Sequence, residues 1–400
     1  MLSYYKSPLI SLFSKVQALN ADPQNIVLCL EVQETLIRKI TYVERKIRNI
    51  KRRTENNRRR LRTSTPRLTK TESIEVKEDI DYCRYLIEQF QSLLIILREI
   101  GDAVAFTYID KWNIKPMAFK ESPGFISGKK GARLERKILR AAFAAGAIVI
   151  LNDLTNCLRY GDITVPKHGQ FMIIEAKSGK RHKLDERGQR QFEEARNITT
   201  YLHTDKTQKL YKKEGPVVRA PLQSKERHHR GKLNKVIADA LNKGVSYVKA
   251  ESGLFYYAAT RLDEESLNKI AEKCNSQPIA ACLNFMDNTA YYPFTLSISN
   301  PTALYEFYKG RLNIIVFVNP VVVREICSAR GFDVEFFTDE DCAIKLVHPN
   351  STADDEYSIR VGRHIFGRVF AEFLSLEWFL NEMMDAADIA PSFLFEADEA

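Results

Sequence analysis

No apolar run in the 400-residue sequence approaches the roughly 18 residues that a membrane-spanning helix needs. The opening stretch, MLSYYKSPLISLFSKVQ, has one early Lys and no clean small-residue cleavage site, so it reads as mature protein and not as a signal peptide. Glycine (17) and proline (14) are few, and with 44% hydrophobic and 28% charged residues the composition is that of a globular chain of two or three domains. The seven cysteines are widely spaced, odd in number and form no CxxC pair, which argues against a disulfide framework and a structural zinc site and favours a reducing, cytoplasmic setting. The seven histidines show no metal-ligand spacing, and His228–His229 sit in a basic loop, KERHHRGK. No GxSxG motif is present. The stretch GFISGKK (124–130) has three residues between its glycines where a P-loop needs four, and Lys130 stands where Ser or Thr should follow the Lys, which excludes an ATP site there.

What is present is positive charge in blocks. The net charge is +9, and residues 36–70 hold 14 Lys/Arg against 2 acids, while 205–235 hold 10 against 3. Residues 331–400 reverse the sign, with 16 acids against 4 Lys/Arg. Basic blocks on an otherwise balanced chain are an electrostatic footprint for a polyanion, or else solvated surface. The acidic end suits a solubilising surface or contact with a basic stretch of a second protomer, so a homo-oligomer is compatible with the sequence.

Two long helices are expected near the start. Leu36, Ile40, Val43, Ile47 and Ile50 alternate spacings of four and three, and Ile80, Cys83, Ile87, Phe90, Leu94 and Leu97 do the same. The polar, basic segment between them contains Pro66, so an antiparallel helical hairpin with a basic tip is the economical reading. The second helix runs on toward Trp112, and a Gly/Pro/Lys-rich joint follows. A helix with Gly146 at its C-terminal cap, strands at 147–151, 161–165 and 170–177, and a helix at 185–204 with Asp185 as N-cap then give the pattern of an α/β core. Farther on, PVVRAPL, YYPFTLSI, LNIIVFVNP, DVEFFT and CAIKLVH read as strands. A helix is expected over 232–244, a hairpin around Glu251–Ser252–Gly253, and further helices over LDEESLNKIAEKC and EYSIRVGRHIFGRVFAEFLSLEWFL.

The chemistry concentrates in RYGDITVPKHGQFMIIEAKSGK (159–180). As a hairpin with His168–Gly169 at its tip, it sets Lys167 opposite Gln170, Val165 opposite Met172 and Asp162 opposite Glu175. Pro166 fits this register only near the hairpin end or on an edge. Facing side chains have Cβ atoms about 4.5–5.5 Å apart, so either one carboxyl is protonated or a cation lies between the two. Mg²⁺, which prefers oxygen ligands, suits that place. Lys177 lies two residues beyond Glu175 and shares its strand face. Asp153, near the end of the first strand, lies close enough to approach, although such acids usually cap or solvate.

Gly161–Asp162, then Glu175–Ala176–Lys177, preceded by a helix bearing Glu135, resembles the PD-(D/E)xK nuclease superfamily over about residues 130–205. Gly161 stands where the motif's Pro would be. The resemblance implies a restriction-endonuclease-like α-β-β-β-α core. It implies that Asp162, Glu175 and Glu135 ligate Mg²⁺ (or Mn²⁺), helped by the Ala176 carbonyl. It further implies that Lys177 orients or deprotonates the attacking water and stabilises charge on the phosphate. Lys180 and His182 lie just beyond the motif, and Gln189, Arg190 and Gln191 lie on the following helix, all within reach of a substrate phosphate or else solvated.

The expected organisation is α/β: a helical region (1–115), the nuclease core (116–224) and a C-terminal mixed α/β domain of unknown role (225–400). The leading expectation is an Mg²⁺-dependent endonuclease acting on DNA, with RNA not excluded and no membrane partner. Bacterial restriction and anti-phage defence are roles the resemblance admits. The alternatives are a non-catalytic nucleic-acid-binding or assembly protein that kept the fold, and a defence effector whose C-terminal domain senses a ligand and gates the nuclease. If Arg58, Arg59 and Arg60 contact phosphates, neutralising all three weakens DNA binding and flattens its salt dependence. An unchanged salt slope in a binding titration assigns the tip another role.

Overall fold

The structure is a computed structural model that describes residues 2–118, 125–129, 131–167, 170–176, 186–210, 213–274, 277–286, 290–337, 341–352 and 357–395. The chain divides into two compact units, Met1–Arg196 and Asn197–Ala400.

The first unit begins with α1 (Lys6–Ala21), α2 (Ile26–Thr63) and α3 (Lys70–Tyr108). At 38 and 39 residues, α2 and α3 are each close to 60 Å long, about 1.5 Å per residue. They pair along the expected seam: Leu36, Ile40, Val43 and Ile47 are buried on one, and Ile80, Cys83, Phe90, Leu94 and Leu97 on the other. Helix α2 runs three turns past Ile50, so Arg58, Arg59 and Arg60 are exposed residues of its last turns and not of a loop. The connection shrinks to 64–69, where Thr69 and Glu72 form a capping box that starts α3. Asp110 caps a separate short helix, α4 (Lys111–Met117), which carries the Trp112 segment.

Helix α5 (Ala132–Ala144), strands β1 (Ile150–Leu151), β2 (Ile163–Lys167) and β3 (Gln170–Ile174), and helix α6 (Glu186–Thr204) follow in the expected order. Gly146 closes α5 with φ of 76°. The sheet is an antiparallel meander, β1-β2-β3. Its β2–β3 register pairs Lys167 with Gln170, Val165 with Met172 and Ile163 with Ile174, as the sequence predicts. Strand β1 is shorter than expected, because 147–149 lie outside the ladder and the Val149 carbonyl accepts from the Gln33 side chain instead.

The expected joint near residue 116 falls inside this unit, because buried polar side chains of the helical hairpin bind the backbone of the segments that follow. The Gln33 amide donates to the Val149 carbonyl (2.8 Å) and accepts from Leu151 N–H (3.1 Å), as a neighbouring strand would. Fully buried Glu44 accepts from Ile126 N–H (3.1 Å) and Ser127 N–H (2.7 Å) and pairs with buried Arg98 (3.3 Å). Asp102 accepts from Asn156 N–H (2.6 Å), Cys157 N–H (2.9 Å) and the Asn156 side chain (2.9 Å). Burial still pushes the Asp102 carboxyl above its ordinary range against those bonds. Beside it Gly101 lets α3 touch the next turn: a Cβ there would lie 1.9 Å from the Leu154 carbonyl oxygen.

In the second unit, β4 (Lys206–Leu210) and β5 (Lys213–Val218) form a ribbon, and α7 (Arg230–Lys243) leads into β6 (Val245–Glu251) and β7 (Leu254–Ala259). These two make the expected hairpin, turning at Gly253 with φ of 74°. With β8 (Ile279–Cys282) and β9 (Asn313–Val318) they form an antiparallel sheet of order β6-β7-β9-β8. One face buries Phe255, Tyr257, Phe317 and Ile270, the last from α8 (Glu264–Lys273). The expected strand YYPFTLSI is instead a short helix, α9 (Phe294–Ser297). Pro293 starts it, Phe294 packs edge-on against Phe307 of α10 (Pro301–Tyr308) at 5.1 Å, and the Asn234 side chain takes its last carbonyl. Helix α11 (Pro320–Ser328) precedes a second antiparallel sheet of β10 (Asp333–Phe336), β11 (Cys342–Val347) and β12 (Ser358–Gly362). The long helix expected from residue 356 begins only at α12 (Arg363–Ala371), because Ile359 and Val361 pair with β11. It breaks at Phe373, whose φ is 59°, before α13 (Leu376–Phe395). No described helix is long and apolar enough to cross a membrane, and none of the seven cysteines is in a disulfide.

Removing the Glu44 carboxylate takes an ion-pair partner from buried Arg98 and the acceptor from two backbone amides. Glu44→Ala is expected to destabilise the first unit by about 3 kcal/mol or more. The chain has two Trp, so urea unfolding followed by Trp112 fluorescence in a Trp378→Phe background reads this unit. An unshifted midpoint refutes the assignment.

Candidate functional site

The conspicuous cluster of charge in the first unit gathers around Lys129. Its ammonium donates to Asp162 Oδ1 (2.7 Å) and Asp153 Oδ2 (2.9 Å). Glu135 Oε1 stands 3.0 Å from the same nitrogen. That third contact is an ion pair, and Glu135 Oε1 is a buried oxygen with no other partner.

Each group is placed by local structure. Lys129 closes the 126–129 turn and offers its carbonyl to Ala132 N–H at the start of α5. That turn is fixed to α2 by Glu44 and by Arg48, which donates to the Ser127 hydroxyl (2.9 Å) and carbonyl. Glu135 lies in the first turn of α5, where the helix dipole favours an anion. Asp153 belongs to the single helical turn that ends β1. Asp162 precedes β2 and is held by its own backbone: its N–H donates to the Ile174 carbonyl (2.9 Å), and its carbonyl accepts from Asn152 N–H (3.0 Å). Buried Asn152 also donates to the Tyr160 carbonyl (2.6 Å) and accepts from Thr164 Oγ1 (2.8 Å), locking the approach to Asp162.

Gly161 is required at this approach. Its φ is 67°, and a Cβ would fall 2.4 Å from Ile173 Cγ2 and 2.9 Å from the Ile174 carbonyl oxygen. Glycine therefore stands before Asp162 for a steric reason.

The β2–β3 ladder ends at Ile163–Ile174, and Asp162 and Glu175 lie just beyond it, with Asp162 N–H bonded to the Ile174 carbonyl and not set in register against Glu175. The second Asp162 oxygen is taken by Ala176 N–H (2.8 Å), so Ala176 meets Asp162 through its amide. Glu175 is exposed. The structure thus brings Asp162 and Glu135 together, adds Asp153, and sets Lys129 among them. Lys177, Lys180 and His182 lie outside the described residues, and Arg190 is described only as a position on α6. Lys129 was missed by sequence reasoning; its signal, a lysine just before a helix bearing an early Glu, lay inside the segment set aside as a failed phosphate loop.

Burial of Lys129 works against its charge, but hydrogen bonds to Asp162 and Asp153 and the Glu135 carboxylate hold the ammonium protonated well above the usual lysine range. Burial pushes the Glu135 carboxyl up, and the Lys129 ammonium opposes that. Three carboxylates around one ammonium leave an excess of negative charge in a half-buried place. Among the described residues no three His, Cys, Asp or Glu side chains stand at metal-ligand spacing. Glu135, Asp153 and Asp162 stand instead at the spacing an ammonium sets, although all three supply the hard oxygen donors that Mg²⁺ and Mn²⁺ prefer.

Gly161→Ala is expected to cost about 2 kcal/mol or more, from left-handed backbone strain plus the clash with β3. The Trp112-monitored melt measures it, and a loss below about 0.5 kcal/mol contradicts the steric reading. Family models, curated proteins and solved structures give no match to this chain.

Proposed function

We propose that the chain is a divalent-metal-dependent nuclease of the PD-(D/E)xK type, with a restriction-endonuclease-like core over α5 to α6. The observation that carries this reading is the convergence of Glu135 and Asp162, from the helix and the strand start that the motif names, on one cation position. The α-β-β-β-α order and the β2–β3 register support it.

Asp162, Glu135 and Glu175 would hold Mg²⁺ or Mn²⁺, with the Ala176 carbonyl as a further donor. When bound, the ion supplies Lewis acidity and neutralises charge gathering on the phosphate. Lys177 orients or deprotonates the attacking water and stabilises the phosphate oxygens as charge builds. Ala176 N–H, bonded to Asp162 Oδ2, keeps that carboxylate turned toward the cluster. DNA is the proposed substrate, gripped without sequence reading by phosphate contacts. Lys180 and Arg190 would add phosphate contacts beside the motif. The hairpin supports a polyanion partner: exposed Arg58 and Arg62 of α2 and Lys77 and Arg84 of α3, the last paired with Asp81, line a cavity of about 420 Å³ together with Leu61 and Ile80. Arg59 and Arg60 are exposed on the same end of α2. Lys129 neutralising part of the carboxylate charge favours a second reading, a nucleic-acid-binding protein that kept the fold and cuts nothing.

Wild type, Lys177→Ala and Asp162→Asn, incubated with plasmid DNA, linear DNA and RNA in Mg²⁺, Mn²⁺ or EDTA, separate the two. Metal-dependent cutting that falls by about a hundredfold or more in both variants is the expected result. Binding without cutting under either ion establishes the second reading. Equal cutting by wild type and Lys177→Ala removes that lysine from the mechanism.

A further inference from the structure

We propose that Lys129 is a resident counter-ion that competes with a divalent cation for Glu135, Asp153 and Asp162, so that the cation enters only when the lysine side chain leaves. The inference rests on the proposed metal site and extends it in two ways, adding Asp153 as a ligand and Lys129 as the group that holds the site closed.

Four observations carry it. The Lys129 ammonium is within 3.0 Å of three carboxylates that come from α5, the turn after β1 and the start of β2. Segments remote in sequence have thus been folded around one positive charge, and a single ammonium leaves most of their negative charge uncancelled. Second, the fit to an ammonium is incomplete. Lysine offers directed N–H donors, and Asp162 and Asp153 receive them in good geometry, whereas Glu135, only 4% exposed, aims a buried oxygen at the nitrogen without accepting a hydrogen bond. A spherical cation makes no such angular demand on the three oxygens. Third, the Lys129 backbone and its side chain are held differently. The backbone belongs to the 126–129 turn that Glu44 and Arg48 fasten to α2. The side chain is one-third exposed, at 33%, on a flexible four-carbon stem that reaches water by rotation alone. Fourth, departure of the lysine leaves Asp162 in place, because its main chain and second oxygen are bonded to Asn152, Ile174 and Ala176 and not to Lys129. The cluster is therefore built to release its ammonium while Asp162 keeps its place and the other carboxylates close on the incoming cation.

Mn²⁺ serves as the probe, with binding to the full-length chain read by calorimetry or by electron paramagnetic resonance of the free ion, independently of any cleavage. Lys129→Met is expected to bind Mn²⁺ at least tenfold more tightly than wild type, while Lys129→Arg, which keeps the charge, stays within about threefold of it. Adding Asp153→Asn to Lys129→Met is expected to weaken binding severalfold. In EDTA the Lys129→Met melting temperature should drop, and Mn²⁺ should raise it by more than it raises that of wild type. Should Lys129→Met fail to fold without metal, Lys129→Gln carries the same comparison with a neutral donor. Equal or weaker Mn²⁺ binding by the neutral variant overturns the proposal, and an affinity unmoved by Asp153→Asn removes that residue from the site. Tighter Mn²⁺ binding without any metal-dependent cleavage upholds the counter-ion and refutes the nuclease. Lys177-dependent cleavage with an affinity indifferent to Lys129 does the reverse.

Discussion

The arrangement of the first unit depends on buried side-chain hydrogen bonds from a helical pair to the backbone of segments that carry almost no regular structure. Gln33 stands in for a missing strand beside β1, Glu44 seats the 126–127 turn, and Asp102 ties down 156–157. A meander whose first strand has two residues cannot order these segments by ladder bonds alone. Each clamp lies within a few residues of a member of the charged cluster: Glu44 holds the turn before Lys129, and Gln33 and Asp102 bracket Asp153. Unpaired amides at these places would be costly to bury, so the helices fix the site by satisfying them.

The cluster shows how burial and charge divide the work. Asp162 spends one oxygen on the Ala176 amide and the other on Lys129, so it is held from two directions. Glu135 has the dipole of α5 behind it and the ammonium ahead, and burial still keeps its carboxyl pushed up. A half-buried place with this excess of negative charge attracts cations.

Much of this was legible in the residues. The heptad spacing of Leu36 to Ile50 and Ile80 to Leu97 gives the helical pair, and period-two logic gives the β2–β3 register from Lys167–Gln170 to Ile163–Ile174. Helix α2 outran its apolar seam because Arg58, Arg59 and Arg60 are good helix formers and nothing before Ser64 breaks it. Short apolar runs misled: Phe294–Ser297 looks like strand, yet Pro293 and the Phe307 ring make it one helical turn. Ile359 and Val361 sit beside an amphipathic run and look helical until β11 pairs them. Lys129 could not be read from sequence, because its meaning comes from Asp153 and Asp162, 24 and 33 residues away. Glu44 was hidden likewise: inside a basic, amphipathic helix a lone acid looks like surface, and only the fold reveals the amides it accepts.

Helix α2 also acts as a ruler. Glu44, which grips the turn below Lys129, and Arg58, which opens the basic end, lie on one uninterrupted helix. Their separation along its axis is about 21 Å at 1.5 Å per residue. With strand phosphates about 3.4 Å apart along a duplex axis, that offset corresponds to roughly six base pairs. On the proposed reading, a duplex reaching from the charged cluster to the basic end is spanned by a rigid rod, and fragments much shorter than that offset cannot reach both at once.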